Sequence, residues 1–205
     1  MSESDAARFW DERFGDTEYI FGIKPNEFLK SQRSLFGREV KVLAVADGEA
    51  RNGVWLAECG CDVTSLDISS VAQRKAKSLA QAREVKLDFV LADALSWNFP
   101  LEKYDCVVCI FIQFSDPIER KALFSNIDKT LKKGGRLVLQ GYGLDQLNYQ
   151  SGGPGKRENL YSVPLLKELL RDWEMELIEE YESVLDEGPK HQGMAALIAV
   201  VARKK

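Results

Sequence analysis

The chain has 205 residues, and 28 lysines and arginines face 32 aspartates and glutamates, for a formal charge of −4. One domain with a full core is the expectation at that length. The acidic balance excludes a general nucleic-acid binder, which carries a basic face. With 45% apolar and 29% charged residues the chain is not of the disordered class, and a single histidine excludes a multi-histidine metal site.

The opening MSESDAARFW has neither a basic n-region nor an apolar h-region, so no secretory signal is expected. No uninterrupted apolar run is long enough to span a bilayer. Cys59, Cys61, Cys106 and Cys109 lack the density of a secreted disulfide scaffold, and a reduced, cytoplasmic protein is expected. Cys106 and Cys109 lie in YDCVVCIFI, a run that reads as a buried strand. Residues three apart on a strand face opposite ways, so these thiols fill core rather than hold a metal.

ARFWDERF reads as a short helix with Phe9, Trp10 and Phe14 on its apolar side. Gly22 and Pro25 punctuate the next stretch before a second helix, which Asn26 can cap. EVKVLAV (39–45) is a first strand, ADGEARN a loop, and NGVWLAECG (52–60) a helix closed by Gly60. CDVTSLD (61–67) is a second strand, and Ser69 or Ser70 caps the helix SVAQRKAKSLAQARE. LDFVLAD (87–93) and residues 105–114 are the third and fourth strands. DPIERKALFSNIDKTLKKGG is an amphipathic helix stopped at Gly134–Gly135, and RLVLQGY (136–142) is the fifth strand. Residues 143–162 form a long loop, and VPLLKELLRDW a helix. EMELIEEYESVLDEG and GMAALIAVVARK, joined at Gly188–Pro189, pair as an antiparallel hairpin.

The expected architecture is therefore a single α/β domain over 1–205. Residues 1–38 form a helical leading segment. Residues 39–205 form one doubly wound, mostly parallel seven-stranded sheet, with helices on both faces and a C-terminal antiparallel hairpin.

In such a sheet, ligands bind beyond the carboxyl ends of the strands, at the switch point. The first loop, VLAVADGEARN, holds Gly48, which lets a ligand approach the backbone closely. Asp67 follows at the tip of the second strand, placed to accept both hydroxyls of a ribose. Asp93 ends the third strand, where it can meet an adenine amine. A dinucleotide loop needs G-x-G-x-x-G, and this one has a single glycine flanked by Asp47 and Glu49. Those carboxylates repel a pyrophosphate. They suit a cationic ligand with an ammonium and a sulfonium, as in S-adenosylmethionine.

WDERF (10–14), YIFGIKPNEFL (19–29), ADGEARN (46–52), TSLDIS (64–69), LADA (91–94), KKGGRLVLQGY (132–142), GGPGKRENLYS (152–162) and LDEGPKHQG (185–193) carry a wider resemblance. Over nearly the whole chain they resemble the class I S-adenosylmethionine-dependent methyltransferases. The nearest likeness is to the small bacterial family of tellurite-resistance and thiopurine methyltransferases. The resemblance implies a Rossmann-like methyltransferase fold with Asp67 on the ribose, Ile68 flanking the adenine, and Asp93 with Ala92 and Ala94 at its edge. It places Ala46, Asp47, Gly48 and Glu49 along the methionine part, followed by Arg51 and Asn52. It makes the N-terminal aromatic segment a lid, with Trp10, Tyr19 and Phe21 over the cofactor and Arg13 on its carboxylate. The class places an acid where this chain has Ala44 and glycines at Ala46 and Ala50, so Asp47 or Glu49 is expected to take the ammonium. Alanine at 50 is comfortable only at negative φ.

On the acceptor side the expected residues are Phe111, which also borders the cofactor, Gln113, Phe114, Tyr142, the 150–162 loop and His191. Histidine is the side chain that titrates near neutral pH unaided. The expected activity is in-line methyl transfer to a small-molecule acceptor, with the protein aligning the reactants and excluding water. A protein or peptide acceptor, or a cofactor-binding module without turnover, are the alternatives. The partners expected are a small molecule, no nucleic acid and no membrane, with the chain a monomer or weak homodimer.

Overall fold

The computed structural model of the chain describes residues 3–205, with side chains from Asp5 onward. Strands β1 (Lys41–Val45), β2 (Asp62–Asp67), β3 (Asp88–Leu91), β4 (Tyr104–Ile110), β5 (Leu131–Tyr142), β6 (Glu174–Asp186) and β7 (Gln192–Arg203) form one sheet in the order β3-β2-β1-β4-β5-β7-β6. The strands β1 to β5 run parallel. β7 is antiparallel to β5, and β6 to β7, so the expected hairpin closes the sheet.

β1 and β4 are apolar on both faces because helices cover both. Leu43, Val45, Val107 and Cys109 pack with Leu123, Phe124 and Ile127 of α5 (Pro117–Thr130) and Leu166 of α6 (Val163–Leu169). Val42, Cys106 and Val108 pack on the other face, with Leu29 of α2 (Glu27–Ser31) and Leu56 of α3 (Arg51–Glu58). Cys106 and Cys109 thus lie on opposite faces, and burial raises both thiols.

The helices start where capping chemistry allows. Asn26 accepts the Leu29 N–H and caps α2. Ser69 accepts the Ala72 N–H and caps α4 (Ser70–Ala82). Asp116 and Glu119 form a reciprocal capping box at α5.

One boundary differs from expectation. Lys132–Gly135 do not end the helix in coil but belong to β5. The register jumps from Tyr104↔Leu131 to Cys106↔Arg136, so this stretch bulges, and its backbone pairs with Lys204 near the chain end. The long loop also holds two short 3-10 turns, Leu144–Asn148 and Arg157–Asn159. No helix among the described residues is long and apolar enough to cross a membrane.

The strand order reverses direction between β1 and β4, and the carboxyl ends of those strands make the crevice. α1 (Glu3–Arg13) packs against the start of α4, beyond the end of β2.

Candidate active site

The chain leaves β1 in a coil where Ala46, Gly48 and Ala50 all take left-handed backbone, at φ 50, 58 and 60. This sharp return leads directly into α3. Asp67 spans the gap to β2: its Oδ2 accepts the Gly48 N–H at 2.7 Å and its Oδ1 accepts the Ser69 N–H at 2.8 Å. Burial pushes this carboxyl up to about 6. One strand further, Asp93 Oδ1 accepts the Leu95 N–H at 2.9 Å, Ala94 is buried, and Ile68 and Ala92 are half-buried. The strand ends therefore bring Gly48, Asp67 and Asp93 into one row.

The neighbouring acids do something else. Asp47 Oδ2 accepts the Ser65 hydroxyl at 2.8 Å and its Oδ1 faces the Gly53 N–H at 3.3 Å, which ties the loop to β2 and α3. Burial pushes its carboxyl up to about 7. Glu49 is buried, ion-paired to Lys75 Nζ at 2.7 Å, and accepts the Phe21 N–H. Asp47 and Glu49, the residues expected at the ammonium, thus each use both oxygens on donors of the protein.

Arg51 and Asn52, also expected beside the cofactor, bond across the chain. Arg51 Nη2 pairs with Glu187 Oε2 at 2.6 Å, and Asn52 Oδ1 accepts the Asn26 N–H at 2.9 Å. Both bind protein segments.

The leading segment lies over this row. Asp11 accepts the hydroxyls of Ser69, at 2.6 Å, and Ser70, and also the Val71 N–H, so α1 is pinned to the start of α4. Trp10 stacks on Phe14, whose ring meets the Gly48 backbone so closely that a Cβ there would stand 3.1 Å from it. The Tyr19 hydroxyl donates to the Lys75 carbonyl and its ring packs beside Ala50 and Val54, so it anchors the leading segment to α4. The Arg13 guanidinium lies 5.8 Å from the Trp10 ring and 6.0 Å from the Phe21 ring. No carboxylate stands within ion-pair reach of it among the described residues.

Beside the row is an aromatic cage. The His191 ring centroid lies 4.5 Å from that of Phe21, 4.6 Å from Phe111 and 5.9 Å from Tyr142. Phe111 holds φ 57, a costly state for a bulky residue, and strain of this kind gathers at functional sites. Tyr142 Oη and His191 Nδ1 are buried without a hydrogen-bond partner among the described residues. Gly152 closes the cage, since a Cβ on it would stand 2.6 Å from Tyr142 Oη. Burial, reinforced by Arg51 and Arg13, lowers His191 to about 3, so its ring is neutral at pH 7. Burial raises the Tyr142 phenol.

Gln113 does not join this cage as a reacting group. Its amide donates to the Tyr142 and Asn159 carbonyls and its oxygen accepts the Tyr142 N–H, so it clamps β5 to the 159 turn. Its side chain supports Tyr142 through the backbone.

Glu187 was not singled out from the sequence. It accepts from Arg51, from Asn26 Nδ2 at 2.9 Å and from the Glu27 N–H at 3.2 Å, while Asn26 also donates to Gln140 at 2.6 Å. Its partners are 136 to 161 positions away, and no local pattern marks them.

Strand order and crevice are those of the Rossmann-like methyltransferase fold. Residues 42–135 match the family model described as a methyltransferase domain, from within β1 into β5. This match implies S-adenosylmethionine as the cofactor. The chain is 33% identical over 130 residues to the ribosomal protein L11 methyltransferase of Campylobacter concisus, which covers 62% of this chain and 45% of that protein. The chain therefore spans less than half the length of that curated relative. Among solved structures, one reported for the conversion of a disulfide bond into a thioacetal group during echinomycin biosynthesis has a TM-score of 0.79 at 18% identity, covering 98% of this chain and 92% of that one. TehB from Haemophilus influenzae has a TM-score of 0.73 at 19% identity, over 97% of this chain and 67% of that one. At these identities the two structures establish the fold.

The residues present fit such a cofactor. Asp67 is bonded only to backbone N–H groups, and Arg13 is a cation without an ion pair among the described residues, available to a carboxylate.

Proposed function

We propose that the chain uses S-adenosylmethionine to methylate a small acceptor held in the aromatic cage. The observation that carries this reading is that the Tyr142 Oη, buried and unpartnered, and the buried His191 ring sit against Phe111 at the end of the strand next to β1. When bound, the cofactor supplies a methyl group on a sulfonium, and the S–CH3 bond breaks with its electron pair going to sulfur.

The chain's own residues do the rest. Asp67 accepts the ribose hydroxyls with the lone pairs its backbone bonds leave free. Asp93 accepts the adenine amine, and Arg13 pairs with the carboxylate. Trp10, Phe14 and Phe21 keep water off the reacting centre. Tyr142 and His191 orient the acceptor and hold its proton. The Arg13 and Arg51 charges near the cage suit an acceptor without positive charge.

A protein acceptor is the second reading, favoured by what the curated relative is named for. The burial of Tyr142 and His191 favours a small one. We further propose a cytoplasmic chain, with its thiols reduced, acting as a monomer or weak homodimer.

Calorimetric titration with S-adenosylmethionine and S-adenosylhomocysteine is expected to give saturable binding, and its absence would overturn the reading. Incubation of a size-fractionated lysate with methyl-labelled cofactor should place the label in the small-molecule fraction. Label in the protein fraction alone would favour the second reading.

A further inference from the structure

We infer that Glu187 is a positioning residue for His191: with the acceptor in place it takes the His191 Nδ1–H, so that the bare Nε2 faces the acceptor and receives its proton. The inference rests on the proposed function of the cage.

Three observations carry it. The first is reach. Glu187 Oε2 lies 4.0 Å from His191 Nδ1, and both side chains are buried. The turn between them is fixed, since Glu187 N–H donates to the His191 carbonyl and His191 N–H donates to the Gly188 carbonyl, each at 3.0 Å. Closing to a charge-assisted bond of about 2.8 Å needs a ring movement of roughly 1 Å. Catalytic hydrogen bonds are often this long before substrate binds, and tighten in the complex.

The second is that Glu187 is held in place. Arg51 of α3, the Asn26 amide and the Glu27 N–H together fix both oxygens. Asn26 is held in turn by Gln140 of β5 and by Asn52. The carboxylate is thus oriented by the helix that follows the first loop and by the start of α2, while its target belongs to the acceptor cage.

The third is the orphan itself. A buried polar group without a partner costs about 1–3 kcal/mol, so native proteins keep few of them. The nearest carboxylate oxygen to Nδ1 is the one already held by Arg51.

The proton balance is simple. The acceptor's X–H bond breaks as the X–CH3 bond forms, the electron pair stays on X, and the proton goes to His191 Nε2. The resulting imidazolium faces Arg13 of α1, Arg51 of α3, the Tyr142 phenol of β5 and the Glu187 carboxylate of its own turn. Glu187 offsets the two arginines until the proton leaves to solvent.

His191 is the only histidine in the chain, so its imidazole nitrogens give one unambiguous set of resonances. Long-range 1H–15N spectra of the chain with S-adenosylhomocysteine are expected to show the neutral tautomer protonated at Nδ1. Glu187→Gln is expected to mix the tautomers and lower kcat about a hundredfold, with KM little changed. It should also shift the acid limb of the kcat profile, which a merely structural role would not move. A wild-type spectrum with the proton on Nε2 would overturn the inference, as would a folded Glu187→Gln chain with unchanged tautomer and kcat. The wild-type spectrum decides the matter even if the variant does not fold. Because the tautomer is read without turnover, a chain that methylates nothing would sink the proposed function and leave the Glu187–His191 geometry to be judged by the spectrum.

Discussion

Asp67 Oδ2 accepts the Gly48 N–H at 2.7 Å, across the gap between the ends of β2 and β1. The residue expected to bind the ribose therefore also sets the loop on which the cofactor's other end would lie. Asp67→Ala removes an acceptor of ribose hydroxyls and strands the Gly48 and Ser69 N–H groups. Hydrogen bonds to a charged group contribute about 1.5–3 kcal/mol, so the Kd for S-adenosylhomocysteine is expected to rise by roughly ten- to a hundredfold. Melting should fall by a few degrees in the same variant. Calorimetry showing unchanged affinity would remove Asp67 from the site.

The same residue makes binding pH-dependent. Burial raises its folded pKa to about 6, and every group that bonds it is a donor, so the ionised form is the binding form. Affinity for the cofactor product is expected to climb by about tenfold from pH 5 to 7 and then level off. Stability runs the other way. Asp67, at about 6, and Asp47, at about 7, have folded pKa values above their unfolded ones. Their contribution is present below roughly pH 4 and is lost as pH rises through the folded values. His191, lowered to about 3, contributes stability above its unfolded value and loses it as pH falls. Between roughly pH 4 and 6 the two carboxyls and the histidine oppose each other, so His191→Gln should steepen the loss of melting temperature with rising pH. A variant with the wild-type slope would contradict the buried neutral ring.

What was legible in the sequence follows a physical line. β1, β2 and the terminal hairpin are marked by local apolar patterns, and Gly48, Asp67 and Asp93 by their places at strand ends. Side-chain direction was not legible. Asp47 and Glu49 flank Gly48 in sequence, yet Asp47 bonds to Ser65, and Glu49 to Lys75, 26 positions on. Gln113 looked like a strand-end polar group and is a backbone clamp. Glu187 pairs with a helix start 136 residues away. Such pairings are decided by which surfaces the folded sheet brings together, and no period of two or 3.6 encodes them.

Ala50 gives a prediction in which three magnitudes compete. Its φ of 60 is a state that costs a non-glycine residue about 1–3 kcal/mol. Its methyl group is fully buried beside Val54 and Ala76, worth about 0.8 kcal/mol. Alanine also has a less flexible unfolded chain than glycine, worth about 0.4–1 kcal/mol. The gains roughly match the strain, which accounts for an alanine where glycine would fit the backbone. Ala50→Gly is therefore expected to stay within about 1 kcal/mol of the parent, while Ala50→Val, β-branched at positive φ, should lose more than about 2 kcal/mol. Denaturant unfolding at constant m-value measures both, and a well-tolerated valine would mean that the loop is not held in this conformation.

Gly188 joins the leading segment, the proposed lid, to the turn that carries His191. Its φ is 97, and a Cβ on it would stand 2.5 Å from the Phe21 carbonyl carbon, inside any tolerable contact. The neighbouring Lys190 N–H donates to the Ile20 carbonyl at 3.1 Å, so the two segments are stitched along their backbones. Gly188→Ala cannot be absorbed by turning a side chain, because the atoms it meets are main chain. The sheet core lies on the other elements and should survive, so the expected result is a folded chain whose lid is pushed off the turn. Hydrogen exchange should quicken over residues 18–26 and 186–191 while β1, β4 and β5 keep their protection. With Phe21 and His191 parted, turnover should fall more than affinity for S-adenosylhomocysteine, because Asp67 and Gly48 remain in place. Uniform loss of protection would show instead that the lid contact supports the whole fold, and unchanged exchange would show that the contact is dispensable.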